Sequence, residues 1–187
     1  MQLAAVILFV SAGVDAWATE AALSVVKRVD VCLSSGPAFQ IAYGARRQAA
    51  DVFAAVGVQI HWLAPDSCRN LRDSIRITIV AQAPEQEEAG ALARAFPYEG
   101  VHINIYYDRV KEQCRCAQQL LAYVMVHEIT HVLQGISRHS ETGIMKARWS
   151  KADYFAMQHH EIGFEAVDVA LIRDGIDSRG ARLAVYR

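Results

Sequence analysis

The sequence predicts an α+β domain, one mixed sheet packed against two helices, and three observations predict it. Short runs of alternating apolar residues recur along the chain, which is the period of a half-buried strand. Two longer stretches carry apolar residues at three-and-four spacing, the period of a helix. The order of these segments, strand, helix, three strands, buried helix and then further helices, fits a single sheet covered by helices. With 187 residues, 53% of them apolar and 21% charged, the chain can bury one core, so one domain is expected.

The chain opens with an unbroken apolar run, Leu3 to Val10, followed by small residues and by Ala16-Trp17-Ala18, a small-x-small cleavage pattern. Residues 1–18 therefore read as a signal peptide and residues 19–187 as the mature domain. Val29, Val31 and Leu33 alternate as a strand that Ser34-Ser35-Gly36-Pro37 ends. From Phe39 to Val56 the period lengthens to that of an amphipathic helix, with Arg46, Arg47 and Asp51 off the apolar stripe and Gly57 as a stop. Three more strands follow from alternation at Val58, Ile60 and Trp62, at Ile75, Ile77 and Ile79, and from Val101 to Tyr107. Between the last two, Ala81 to Gly100 reads as a loop with a short helical turn, placed where it can overhang a cleft. Gln118 to Gln134 is helical and apolar on most faces, which predicts burial. Ser150-Lys151-Ala152-Asp153 resembles a capping box, and Phe164 to Ile172 adds a last periodic stretch.

Nineteen basic and twenty acidic residues leave a net charge of −1, so no overall field favours nucleic acid or an anionic membrane. No segment after the first is long and apolar enough to span a bilayer. The expected product is a secreted or periplasmic monomer without stable membrane insertion. Four cysteines, Cys32, Cys68, Cys114 and Cys116, can form two disulfides in such a compartment. A Cys114–Cys116 bridge is disfavoured, because residues two apart strain the usual Cα separation.

His127-Glu128-Ile129-Thr130-His131 carries the chemistry. At about 3.6 residues per turn the two histidines share one helix face and can present their imidazoles to one ion. Glu128, about 100° further round, can reach a water at that ion without filling a coordination position, as a general base must. Zinc is the expected metal, since imidazole suits it and a catalytic site uses three protein ligands with one position open. Gly135 can end the helix in the left-handed conformation and turn the chain back, which makes His139 the third ligand. Gly143-Ile144-Met145 offers a second turn that places a soft methionine beneath the site. His61 and His102 lie on the polar side of strands and His159 and His160 at a solvated helix end, so none is given a role.

The chain resembles the metzincins, whose motif is H-E-x-x-H-x-x-G-x-x-H followed by a methionine turn. Here there is one extra residue before the glycine and one before the last histidine. The pattern is more similar to a group of exported bacterial zinc-peptidase-like proteins sharing H-E-x-x-H-x-x-x-G-x-x-x-H-S-x-x-G-I-M and then Ala-x-Trp, here Ala147, Arg148 and Trp149. The resemblance covers His127 to Trp149. It implies a zincin-like fold, His127, His131 and His139 as zinc ligands, Glu128 as base and Met145 as the turn methionine. By the same analogy, Val101 to Tyr107 is the strand bordering the cleft. The two added residues leave the third ligand open, and Glu161, Asp153 and Glu141 are the alternatives. The reading is a zinc metalloendopeptidase acting on a peptide or protein. Its rivals are a zincin-like protein whose zinc only stabilises the fold, and a zinc hydrolase of a non-peptide amide or ester.

Overall fold

Alternation along the first strand, β1 (Lys27–Ser34), buries Val29, Val31 and Leu33 and leaves Arg28 exposed. The structure, a computed structural model, describes residues 26–71, 73–98 and 101–184. The expected signal peptide lies outside them. The chain continues through α1 (Phe39–Ala54), β2 (Val58–Leu63), β3 (Ile75–Val80), β4 (Ala93–Ala95), β5 (His102–Tyr106), α2 (Tyr107–Gln113), α3 (Ala117–Gln134), α4 (Lys151–Gln158) and α5 (Ala166–Ala184). The fold is α+β as expected.

The five strands form one mixed sheet in the order β2-β1-β3-β5-β4, parallel throughout except for β4, which runs antiparallel to β5. Register aligns the apolar residues in rows: Val29 beside Ile60, and Leu33, Ile77 and Ile103 in line across three strands. That face packs on α1 and α3. The other face carries the exposed Gln59, His61, Thr78 and His102. A mostly parallel sheet usually has helices on both faces and reads as continuous apolar runs. Among the described residues only one face is covered, which is why the strands were legible as alternation.

Helix α3 is the centre of the molecule, with every residue from Leu120 to Leu133 buried. Its neighbour α1 turns Ala42, Ala45, Ala49 and Phe53 inward, and the three alanines let the two helices approach closely. At Gly44 the end of the Gln118 side chain lies over the backbone, where a Cβ would sit 2.4 Å from it and displace it. The expected capping box is present, with Asp153 N–H donating to Ser150 Oγ at 3.3 Å and Ser150 N–H donating to the Asp153 carboxylate at 2.6 Å.

Three expectations need correction. The strand expected to run to Tyr107 stops at Tyr106, and Tyr107 opens α2, whose first turn is fixed by Asp108 accepting the Ala83 N–H at 3.1 Å. The segment 81–100 holds a short strand, β4, so β4 and not the 101–107 run is the sheet edge on that side. Cys114 pairs with Cys116 and Cys32 with Cys68, both at disulfide distance. The Cys114–Cys116 pair is possible because the chain bends at Arg115 between an extended Cys114 and the start of α3, bringing the Cα atoms to 5.1 Å. A straight extended path would hold them about 7 Å apart.

The two bridges close loops of very different length, 36 and 2 residues in separation. Loop entropy predicts that replacing Cys32 and Cys68 by serine costs about 4 kcal/mol, and replacing Cys114 and Cys116 about 1–2 kcal/mol. Urea denaturation of the two double variants checks the ranking, and an equal loss would contradict it.

Candidate metal centre

The periodicity of α3 sets His127 and His131 one turn apart on a buried helix, and Gly135, at φ 69°, ends that helix in the left-handed conformation. The chain then doubles back, and the structure brings His139 to the other two histidines. The three offer ring nitrogens that all lie within 4.8 Å of one another. The rings of His127 and His139 are nearly stacked, with centroids 5.3 Å apart, and His131 meets each of them edge-on. Glu161, Glu141 and Asp153 are not in the cluster. Asp153 is occupied elsewhere, accepting from Lys146 Nζ at 2.6 Å as well as capping α4.

The backbone fixes the tautomers. His127 Nδ1 lies 2.9 Å from the Ile144 carbonyl oxygen and His131 Nδ1 lies 3.1 Å from that of Ile136. A carbonyl only accepts, so both Nδ1 atoms carry the proton and both Nε2 atoms present bare lone pairs. Those two Nε2 atoms are 3.0 Å apart. Two lone pairs at that distance repel unless a cation lies beside both, so the donor set fits a metal ion. Burial keeps the rings neutral, as metal ligands must be. Desolvation, reinforced by the neighbouring imidazole of His131, drives His127 down to about 3. Desolvation likewise takes His131 to about 4, and it lowers the partly exposed His139, with Arg138 adding to the effect.

Glu128 is buried beside the histidines and points to the sheet, where its carboxylate accepts the Ala95 backbone N–H. Desolvation raises its pKa to about 8, a rise that this hydrogen bond opposes. A cation held by the histidines would pull it back down. Met145 and Ile144 are fully buried in the core after the turn at Gly143 (φ 71°). Trp149, which the sequence marked only as part of a motif, has a definite place. Its Nε1–H donates to the same Ile144 oxygen at 3.2 Å, and its ring meets His127 edge-on at 5.4 Å.

The histidines and Glu128 open on a cleft of about 570 Å³. Leu92 to Ala95 form one wall and Lys146 to Trp149 the other, while no residue of β5 lines it. At the rim, Arg148 donates to Glu88 at 3.2 Å and joins the two loops. His61 and His102 are exposed on the far face of the sheet, and His159 and His160 lie exposed in the turn after α4, as expected.

One residue escaped the sequence reading. Asp168, in the first turn of α5, is fully buried and bonded to both neighbours of His139. Its spacing was the available signal, because Phe164, Asp168 and Ile172 stand four apart and put a carboxylate on a buried stripe.

The fold and the site define an α+β domain with a histidine triad able to hold a metal. No protein-family model matches the chain, and no curated protein matches it either.

The protein without any bound ion exposes the electrostatics of the cluster directly. In the metal-free protein, imidazole ¹⁵N spectra are expected to show His127 and His131 neutral and protonated at Nδ1 down to about pH 5. A titration near the ordinary 6.5 for either ring would contradict the assignment. The sign for stability follows. Below pH 6.5 the unfolded chain binds protons that these folded rings refuse, so their effect is to lower stability as pH falls from 6.5 towards 4. Glu128 acts oppositely, lowering stability as pH rises from 4.5 towards 8.

Proposed function

We propose that the protein is an exported zinc metallopeptidase in which His127, His131 and His139 hold the metal and Glu128 is the general base. The observation that carries the reading is the pair of bare Nε2 atoms converging beside a buried carboxylate that opens on a cleft. Three imidazoles suit zinc. Among the described residues the cluster has three members, which leaves a tetrahedral position for substrate or water and favours a catalytic over a closed structural site. Zinc, when bound, polarises a carbonyl and acidifies water.

The chain's own residues supply the rest. The Glu128 carboxylate takes the proton of the attacking water and delivers it to the leaving amine. Its hydrogen bond to Ala95 ties the base to the cleft wall, so that substrate and base are referred to one strand. The Ile144 carbonyl, which also accepts the Trp149 Nε1–H, holds the His127 ring by its Nδ1–H and so orients the Nε2 that would bind the metal. An extended peptide can lie along β4, whose outer edge pairs with no strand among the described residues. Both cysteine pairs suit an oxidising compartment, and no described helix is long and apolar enough to cross a membrane.

The test is Glu128→Gln, which keeps the shape and removes the base. Zinc content measured on the purified variant should equal that of wild type, while cleavage of a mixed peptide library should fall by about 10²–10⁴-fold. Undiminished cleavage would rule out Glu128 as base. A wild-type protein that ignores every peptide but hydrolyses esters or small amides would transfer the same site to non-peptide substrates.

A further inference from the structure

On the zinc reading above, the path from the helix to the third imidazole is two residues longer than in the metzincin pattern, and something must take up the slack. The loop that carries His139 is zipped along its length to the segment leading into α5. Ile144 N–H donates to the Gly163 oxygen at 2.9 Å, Thr142 Oγ1 bonds the Glu165 carboxylate, and Asp168 takes the far end. Asp168 Oδ1 accepts Arg138 Nη1 at 2.7 Å, and the Ser140 hydroxyl lies 2.8 Å from both carboxylate oxygens. These are the residues immediately before and after His139.

That bracketing has a geometric consequence. Residues 137–139 lie outside any helix, and Ser140 pairs with Lys146 as an isolated bridge. The side chains of this stretch alternate as in a strand, Arg138 and Ser140 meeting Asp168 while His139 joins the other two histidines. Pulling Arg138 and Ser140 onto one carboxylate turns His139 the other way, towards His127 and His131. Asp168 is itself held in place by packing and hydrogen bonding. Asp168 is fully buried, its backbone oxygen accepts Gln134 Nε2 at 3.4 Å, and α5 crosses the end of α3 at Gly175, where a Cβ would fall 1.8 Å from the Leu133 oxygen.

We propose that Asp168 is the positioning residue of the metal site, fixing His139 as third ligand by gripping Arg138 and Ser140. It does not touch the metal. It acts through His139, as outer partners orient ligands at other metal sites.

The test is a double-mutant cycle read in metal binding. Zinc affinity is measured by competition with a chromophoric chelator for wild type, Asp168→Asn, His139→Ala and the double variant, with the visible spectrum of each cobalt-loaded protein. Asp168→Asn should weaken zinc by about 10–100-fold and move the cobalt spectrum towards that of His139→Ala. In the His139→Ala background the same change should cost almost nothing further. Should Asp168→Asn not fold, Arg138→Gln with Ser140→Ala breaks the same grip from the loop side and should give the same loss. Wild-type affinity in both these variants would overturn the proposal. So would an equal loss with and without His139, since Asp168 would then support only the fold. A wild-type protein that takes up no zinc overturns the metallopeptidase reading as well, whereas zinc bound and lost as expected without peptide cleavage overturns that reading alone.

Discussion

Two bare imidazole nitrogens 3.0 Å apart, on a helix with no exposed face through its central turns, set the terms for the structure around them. Each ring keeps its one proton on Nδ1 and must donate that N–H to something that can only accept, and inside the fold that means a backbone carbonyl. The carbonyls of Ile136 and Ile144 serve, and each sits just after a glycine in the left-handed conformation, Gly135 and Gly143. The glycines do not mark flexibility. They are where the chain must turn sharply enough to present a carbonyl back to the helix it has left.

Burial of the site has a cost that the fold carries by itself. Removing two imidazoles and a carboxylate from water disfavours their charged forms, which leaves neutral rings and a carboxyl inclined to keep its proton. Neutral rings are what a metal requires, so desolvation that is unfavourable in the empty site becomes preorganisation in the loaded one. The Ile144 oxygen shows how tightly this is drawn, since His127 and Trp149 both donate to it and both would be released if the turn moved.

What the sequence could reveal follows from the range of the forces involved. The spacing of His127, Glu128 and His131, the stop at Gly135 and the box at Ser150 and Asp153 are local, and local geometry alone determines them. The strands were legible because one sheet face is polar. The features that stayed hidden are set by contacts distant in sequence. β4 has only Ala93, Arg94 and Ala95, with no β-branched residue, and exists because β5 offers it a partner. The order of strands in the sheet is not their order in the chain, so the edge was assigned to the wrong run. The Cys114–Cys116 pairing depended on a single bend at Arg115. His139 itself was legible from the stop at Gly135, but the residue bonded to both its neighbours, Asp168, lies 29 positions further on and was not.

Placing the cleft beside so short a strand poses a problem of its own, since three residues of ladder hold an edge weakly. The structure answers it with side chains rather than with length. Arg109, on α2, donates to the carbonyls of Glu88 and Ala91, both at 2.7 Å, and clamps the approach to β4. Glu87 accepts from Arg94 at 2.9 Å and meets the buried Tyr106 hydroxyl, whose pKa burial and that carboxylate push up to about 12. Glu128 fastens the strand from the opposite side through Ala95. Because Phe96 N–H and the Leu92 oxygen pair with β5, the backbone groups of Ala93 and Ala95 alternate outward to the cleft. A longer strand would be more stable alone, but would also offer a longer exposed edge to other chains. Brevity with side-chain fastening keeps the edge available where Glu128 and the histidines open on it, and nowhere else along that wall.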